Sequence, residues 1–256
     1  MPAPENTFKK ALADGDTLIG CWLSLAEAVT AEIMGEAGFD WLLIDGEHSA
    51  NDIRSIRDQM MALKGSDSHP VIRVPVGETW IIKQVLDAGA QTVLVPMVET
   101  AKQARELVKA CRYPPEGNRG VGYGAGRISN FGQMKDYGET ANAQISLLVQ
   151  VESKTGLDNL DDILSVPGVD GVFIGPADLS ASLGYLGKIN HPEMKKTILS
   201  SLEKISASGK AAGIIYTDEH MIQAALDAGA RFVAVAMDVA LLLNNGKAAA
   251  AQWKSA

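Results

Sequence analysis

Apolar residues fall along this chain in two alternating rhythms. Short runs that are almost continuously Val, Ile, Leu or aromatic occupy residues 17–24, 41–45, 71–75, 92–98, 146–151, 171–174, 211–216 and 232–236. Runs of that length and content predict strands buried on both faces of a parallel sheet. Between them apolar residues recur three and four apart, as in Ile53, Ile56, Met60 and Leu63, or Ile198, Leu202 and Ile205. That spacing predicts helices with one buried stripe. The tail 239–256, rich in Ala and Leu with Trp253 near its end, predicts a last helix that closes the fold or packs on a neighbour.

The alternation repeats in the letters themselves. LDAGAQTVLV at 86–95 and LDAGARFVAV at 226–235 are close copies, and EAGFDWLLID at 36–45 is a looser third. Gly89, Gly229 and Gly38 sit where a helix would end in a left-handed residue before the next strand. A doubly wound sheet would also alternate strands with helices. Eight countable strands, with no GxGxxG fingerprint after the first, favour a single-domain (β/α)8 TIM barrel over residues 1–256.

Composition changes this picture only by exclusion. At 46% hydrophobic and 21% charged residues, the chain can fill a large core, so wholesale disorder is excluded. The net charge of −8, without a basic cluster interleaved with aromatics, argues against a nucleic-acid partner. Cys21 and Cys111 lie far from any metal-type spacing and fit a reducing cytoplasm. The N-terminal letters lack the apolar core of a signal peptide, and no apolar run approaches the roughly 20 residues of a membrane span. A cytoplasmic protein acting on small molecules is the expectation.

In a barrel, the C-terminal strand ends and the loops after them carry the chemistry. Asp45, Gly46, Glu47 and His48 follow the second strand, Arg73 lies in the third, Gln150 and Glu152 end the fifth, and Gly175-Pro176-Ala177-Asp178 follows the sixth. Glu152 and Asp178 offer only oxygen, which suits a hard divalent ion such as Mg²⁺ or Mn²⁺. Arg73 can neutralise an oxyanion with its planar fork, and His48 is the natural general base, with Asp45 or Asp87 to orient its ring. Plainer readings stand beside these. Asp178 can be a helix N-cap, Glu152 a surface acid, and Asp87 a structural member of the repeated LDAGA unit. Trp22, Trp41 and Trp80 read as core. The glycine-rich stretch 113–131, with Arg119 and Arg127, reads as a lid or a subunit contact.

Six stretches together, FDWLLIDGEHS, VIRVP, TVLVPMVET, GNRGVGYG, LLVQVES and VDGVFIGPADLSASLG, resemble the HpcH/HpaI family of class II pyruvate aldolases from about residue 18 to 237. The resemblance implies a (β/α)8 barrel, a homohexamer with an exchanged last helix, and a divalent metal (Mg²⁺, Mn²⁺ or Co²⁺). It implies reversible cleavage of 4-hydroxy-2-oxo acids to pyruvate, or hydroxypyruvate, and an aldehyde, and a place in aromatic-compound catabolism. Glu152 and Asp178 would then be metal ligands, and His48 the base, assisted by Asp45. Arg73 and Gln150 would hold the enolate, with Gly175, Pro176, Ala177 and Asp178 around the substrate carboxylate and Arg127 on its distal end. The related citrate-lyase β-subunit branch, acting on CoA esters, fits the IDGEHS and GPADLS wording less well, and an oxo-acid sensor without catalysis is a third reading.

Overall fold

In the computed structural model, which describes residues 1–254, the eight runs become β1 (Leu18–Leu23), β2 (Trp41–Asp45), β3 (His69–Arg73), β4 (Thr92–Val95), β5 (Ser146–Val151), β6 (Gly171–Ile174), β7 (Ala211–Ile215) and β8 (Ala230–Met237). Each pairs in parallel with the next, and β8 closes on β1, giving the (β/α)8 barrel. Several expected boundaries move, those of β1 and β7 by one residue. β3 starts two residues earlier, at His69, and ends at Arg73 rather than Pro75. β4 stops at Val95 because Pro96 has no N–H to donate and Met97 turns to a φ of 54°. β8 starts at Ala230 instead of Phe232. Gly38, Gly89 and Gly229 do take left-handed φ values of 83°, 123° and 91°.

The period of two along each strand sorts its side chains into two cores. One alternate set packs outward against the helices, and includes Leu42, Ile44, Ile72, Val93, Val149 and Ile174. The other fills the barrel, with Trp22, Trp41, Leu43, Val71, Leu94, Leu148, Phe173 and Phe232. Phe8, from the helix Thr7–Asp14, plugs the end where the strands begin, stacked on His69 at 5.4 Å and edge-on to Trp41 at 6.0 Å. Burial there drives the His69 imidazole down to about 4. Room for two large rings is made by glycine. A Cβ on Gly20 would collide with the Trp41 indole, and one on Gly213 with the Phe232 ring. Gly20→Ala is therefore expected to destabilise the barrel by about 1–3 kcal/mol through overpacking, read as a lower urea midpoint with unchanged slope.

The last helix, Asp238–Lys254, packs on β1 and β8 where it begins. Further along, Leu242, Leu243 and Trp253 are exposed. Residues 255 and 256 of the expected tail lie outside the described residues. Trp80 is exposed rather than core, at 56%. Among the described residues no helix is long and apolar enough to cross a membrane.

Candidate active site

Continuing the inward parity by one step past the apolar layer reaches the polar residues. Asp45 follows Leu43 on β2, Arg73 follows Val71 on β3, and Gln150 then Glu152 follow Leu148 on and just beyond β5. Register places Asp45 directly opposite Arg73. These side chains line one cleft of about 270 Å³ at the C-terminal mouth of the barrel, with His48, Gly175–Asp178, Trp22 and Phe173. Three larger clefts, of about 520, 620 and 350 Å³, are lined by none of these residues.

Asp45 grips Arg73 in a two-pronged pair, Nε to Oδ1 at 2.8 Å and Nη2 to Oδ2 at 2.7 Å. The guanidinium lies over the Trp22 ring at 4.9 Å, and the indole N–H donates to Asp45 Oδ2 at 3.2 Å. Asp45 Oδ1 also accepts the backbone N–H groups of Glu47 and His48 at 3.0 and 3.3 Å, which fixes the loop that carries the histidine. Burial opposes the Asp45 charge. The hydrogen bonds and charge of Arg73, helped by the Glu47 N–H and the indole, outweigh it and hold the carboxyl below the ordinary aspartate value. The expectation that Asp45 orients the His48 ring is corrected: it holds the backbone N–H of His48, while the ring itself has Glu47 Oε2 at 3.9 Å and stands on the exposed rim.

Glu152 is no surface acid. It is 2% exposed, accepts the Met97 N–H at 2.9 Å on Oε1, and takes the Gln150 amide on Oε2. The left-handed turn at Met97 aims that N–H inward, a backbone strain of the kind found at functional sites. Burial raises the Glu152 carboxyl above its ordinary value, with Glu47 and Asp178 adding to it against the two hydrogen bonds. Asp178 lies in the first turn of the helix Pro176–Ser182, yet Gly175 is the N-cap residue and no side chain caps that end. The capping reading therefore fails. Gly175 is required by space, since a Cβ there would run into Glu152 Oε2 and lie 2.9 Å from Gln150 Nε2.

A divalent cation fits these donors. The cleft gathers Asp45, Glu152 and Asp178 with Glu47 beside them, four carboxylates against the single guanidinium of Arg73. Gln150 Oε1 is a buried oxygen with no hydrogen-bond partner. Among the described residues no group of three or more His, Cys, Asp or Glu side chains is placed to hold a metal ion. Two carboxylate ligands would leave the remaining positions to water and substrate, as an open site requires.

Two expected residues lie elsewhere. Asp87 belongs to the helix Thr79–Ala88 and pairs with buried Arg119 at 2.8 Å. Arg127 donates to the carbonyls of Ala88 and Met60 at 3.1 and 3.2 Å, bracing the ends of two helices and lining a cleft with Gly89 and Gln91. Both sit toward the end where strands begin. Each barrel helix runs back from the mouth, so the connection 113–131, which follows the helix Ala101–Ala110, lies at the far end. Within this chain it does not cover the mouth, Arg127 lines a cleft separate from that of Glu152 and Asp178, and Asp87 pairs with Arg119 away from the imidazole. Trp22 and Glu47 are residues that sequence reasoning passed over. The parity of β1, which turns Trp22 inward above Gly20, was the available signal for the first; Glu47 offered none beyond its motif.

The family model described as HpcH/HpaI aldolase/citrate lyase matches residues 18–245. A protein of Roseobacter denitrificans named hydroxypyruvate/pyruvate aldolase is 75% identical over 254 residues, 99% of both chains. A 2-keto-3-deoxy-L-rhamnonate aldolase of Escherichia coli O1:K1 / APEC is 53% identical over 236 residues, 92% of this chain and 88% of the other. The crystal structure of an HpcH/HpaI aldolase/citrate lyase family protein from Burkholderia cenocepacia J2315 superposes with a TM-score of 0.93 at 42% identity, covering 96% of this chain and 98% of that one.

Proposed function

The chain belongs to the HpcH/HpaI aldolase/citrate lyase family, and from that membership we propose a class II aldolase that reversibly cleaves 4-hydroxy-2-oxo acids to pyruvate or hydroxypyruvate and an aldehyde. The observation that carries the reading is the convergence of Glu152, Asp178, Gln150 and Arg73 on one cleft with His48 at its rim. Hydroxypyruvate enters because the relative 75% identical to this chain is named for both donors.

Glu152 and Asp178 would hold the divalent cation, with Gln150 Oε1 beside them. When bound, that ion supplies Lewis-acid polarisation of the 2-oxo group. The first-turn N–H groups of Ala177 and Asp178 have no intrahelical acceptor and receive the substrate carboxylate, which Gly175 and Pro176 let approach closely. Arg73, already aimed by Asp45 and Trp22, donates to the oxygen that gains charge as the C3–C4 bond breaks. His48 takes the proton of the 4-hydroxyl, and the same proton is then available to C3. Trp22 and Phe173, 5.6 Å apart, keep water from beneath the reacting plane, while Ile215 and Met237 form the wall nearest the aldehyde.

Among the described residues no lysine lines the cleft, which leaves a Schiff-base route without a nucleophile there. Lys154, the nearest in sequence, pairs with Asp158 at 2.6 Å on the exposed surface. In the assembled enzyme, the exposed Leu242, Leu243 and Trp253 of the last helix supply an apolar face for the homohexamer that the resemblance implies. The two buried free cysteines fit a cytoplasmic setting. The test is incubation of the Mg²⁺-loaded protein with hydroxypyruvate or pyruvate and a panel of small aldehydes, followed by NMR. New carbon–carbon products with no borohydride-trapped lysine adduct are expected; an adduct, or no product with any aldehyde, would overturn the reading.

A further inference from the structure

Glu47 has no task in the chemistry above, yet its place is unusual. One of its oxygens, Oε2, lies 2.8 Å from Arg73 Nη1 and 3.9 Å from His48 Nε2. Both of Asp45's contacts to the same guanidinium are aligned hydrogen bonds. The Glu47 contact is not, and Oε2 is a buried atom without a hydrogen-bond partner. The Glu47 side chain is 15% exposed, against 63% for His48. An oxygen ion-paired to Arg73 without an aligned hydrogen bond is held less firmly than the two-pronged Asp45, and an anion arriving at Arg73 competes with it directly. Burial raises the Glu47 carboxyl above its ordinary value, with Asp45 and Asp178 adding to it against Arg73 and His48, as befits an anion short of partners.

We propose that Glu47 is a positioning residue of the aldol step: a substrate oxygen takes over Arg73 Nη1, and the released carboxylate pairs with His48 as it becomes imidazolium. This rests on the aldolase reading above. In the cleavage direction the 4-hydroxyl proton passes to His48 Nε2, the C4–O bond becomes the aldehyde carbonyl, and the C3–C4 electrons enter the enolate. Glu47 transfers no proton and stays a carboxylate throughout. Asp45 is the fixed clamp on Arg73 and Glu47 the releasable one, so the oxyanion donor and the base share a single counter-ion.

A static brace and a releasable counter-ion predict opposite results for oxalate, a planar dianion that resembles the pyruvate enolate. In Mg²⁺-loaded protein, Glu47→Gln is expected to bind oxalate about tenfold more tightly by calorimetry, because a competing like charge has been removed. In the same variant kcat for aldol cleavage falls about 10²-fold, because the imidazolium has lost its partner. Glu47→Asp, whose carboxylate is drawn back by one methylene, is expected to regain part of kcat, and it carries the test should Glu47→Gln fail to fold. Oxalate binding that weakens or stays the same, or a kcat that does not fall, would overturn the proposal. A native protein that binds oxalate yet joins no aldehyde to pyruvate or hydroxypyruvate would instead end the aldolase reading, while the oxalate comparison would still report whether Glu47 competes at Arg73.

Discussion

Aldol turnover is expected to fall by at least about a thousandfold when the protein is stripped with EDTA, and as far in Gly175→Ala even with saturating Mg²⁺. The first loss follows from the donor set. Glu152 and Asp178 present carboxylate oxygens beside the partnerless Gln150 Oε1, and no lysine or other guanidinium stands in for a cation there. The second follows from space. A methyl group on Gly175 would press into the Glu152 side chain, at Oε2 and Cβ, and into Gln150 Nε2, turning both side chains away from the cleft. Gly175 has φ −91° and ψ 99°, a conformation alanine adopts freely, so the fold itself should tolerate the change. Calorimetric titration with Mg²⁺ alongside thermal unfolding separates the two effects. A variant that unfolds normally but no longer takes up Mg²⁺ is the expected outcome, and near-native turnover in Gly175→Ala would remove Glu152 from the ligand set.

Arg73→Lys is expected to lower kcat by about 10²–10³-fold while keeping the formal charge. An ammonium cannot span both oxygens of Asp45 and lie flat on Trp22 while it also offers N–H groups to substrate. Arg73→Ala should in addition cost about 3–5 kcal/mol of stability, because Asp45 would be left buried without its partner. The pH dependence gives an independent check. The Asp45 carboxyl is held below its ordinary value, so the stability it contributes is present above the unfolded-state pKa and is lost as pH falls through the lowered one. Arg73→Ala removes the lowering influence, and the acid loss of stability should then begin at higher pH. Unchanged kcat with reduced stability would make Arg73 a brace and nothing more.

Which parts of this architecture were legible in the letters can be argued residue by residue. Strands buried on both faces announce themselves as near-continuous apolar runs, so all eight were visible, and errors fell only at ends such as Pro96, where a missing N–H decides. Asp45, Arg73, Gln150 and Glu152 are visible because each interrupts or follows the C-terminal part of such a run. Their partnerships are not, since Asp45 opposing Arg73 is a property of register between strands far apart in sequence. Asp87 has the structural role that its repeated LDAGA unit suggests, pairing with Arg119, while the charge of Arg127 in a conspicuous motif says nothing about which end of the barrel it occupies. The order of elements does say it: both come from the returning half of a strand–helix unit. Trp22 reads as core from its sequence, and it both fills the barrel and lies against Arg73 in the cleft.

The aromatic plug beneath the site has a stereochemical consequence. Phe8, Trp41 and Phe232 seal one end of the barrel, and Trp22 and Phe173 cover the lower face of the cleft, so it opens in one direction only. In the proposed reaction, an enolate held flat there would show one prochiral face to aromatic carbon and the other to His48 and incoming aldehyde. With hydroxypyruvate as donor, whose C3 becomes a stereocentre on bond formation, the floor of the vessel would then fix the face attacked, so that each enolate geometry gives a single handedness at C3, whatever aldehyde arrives from above.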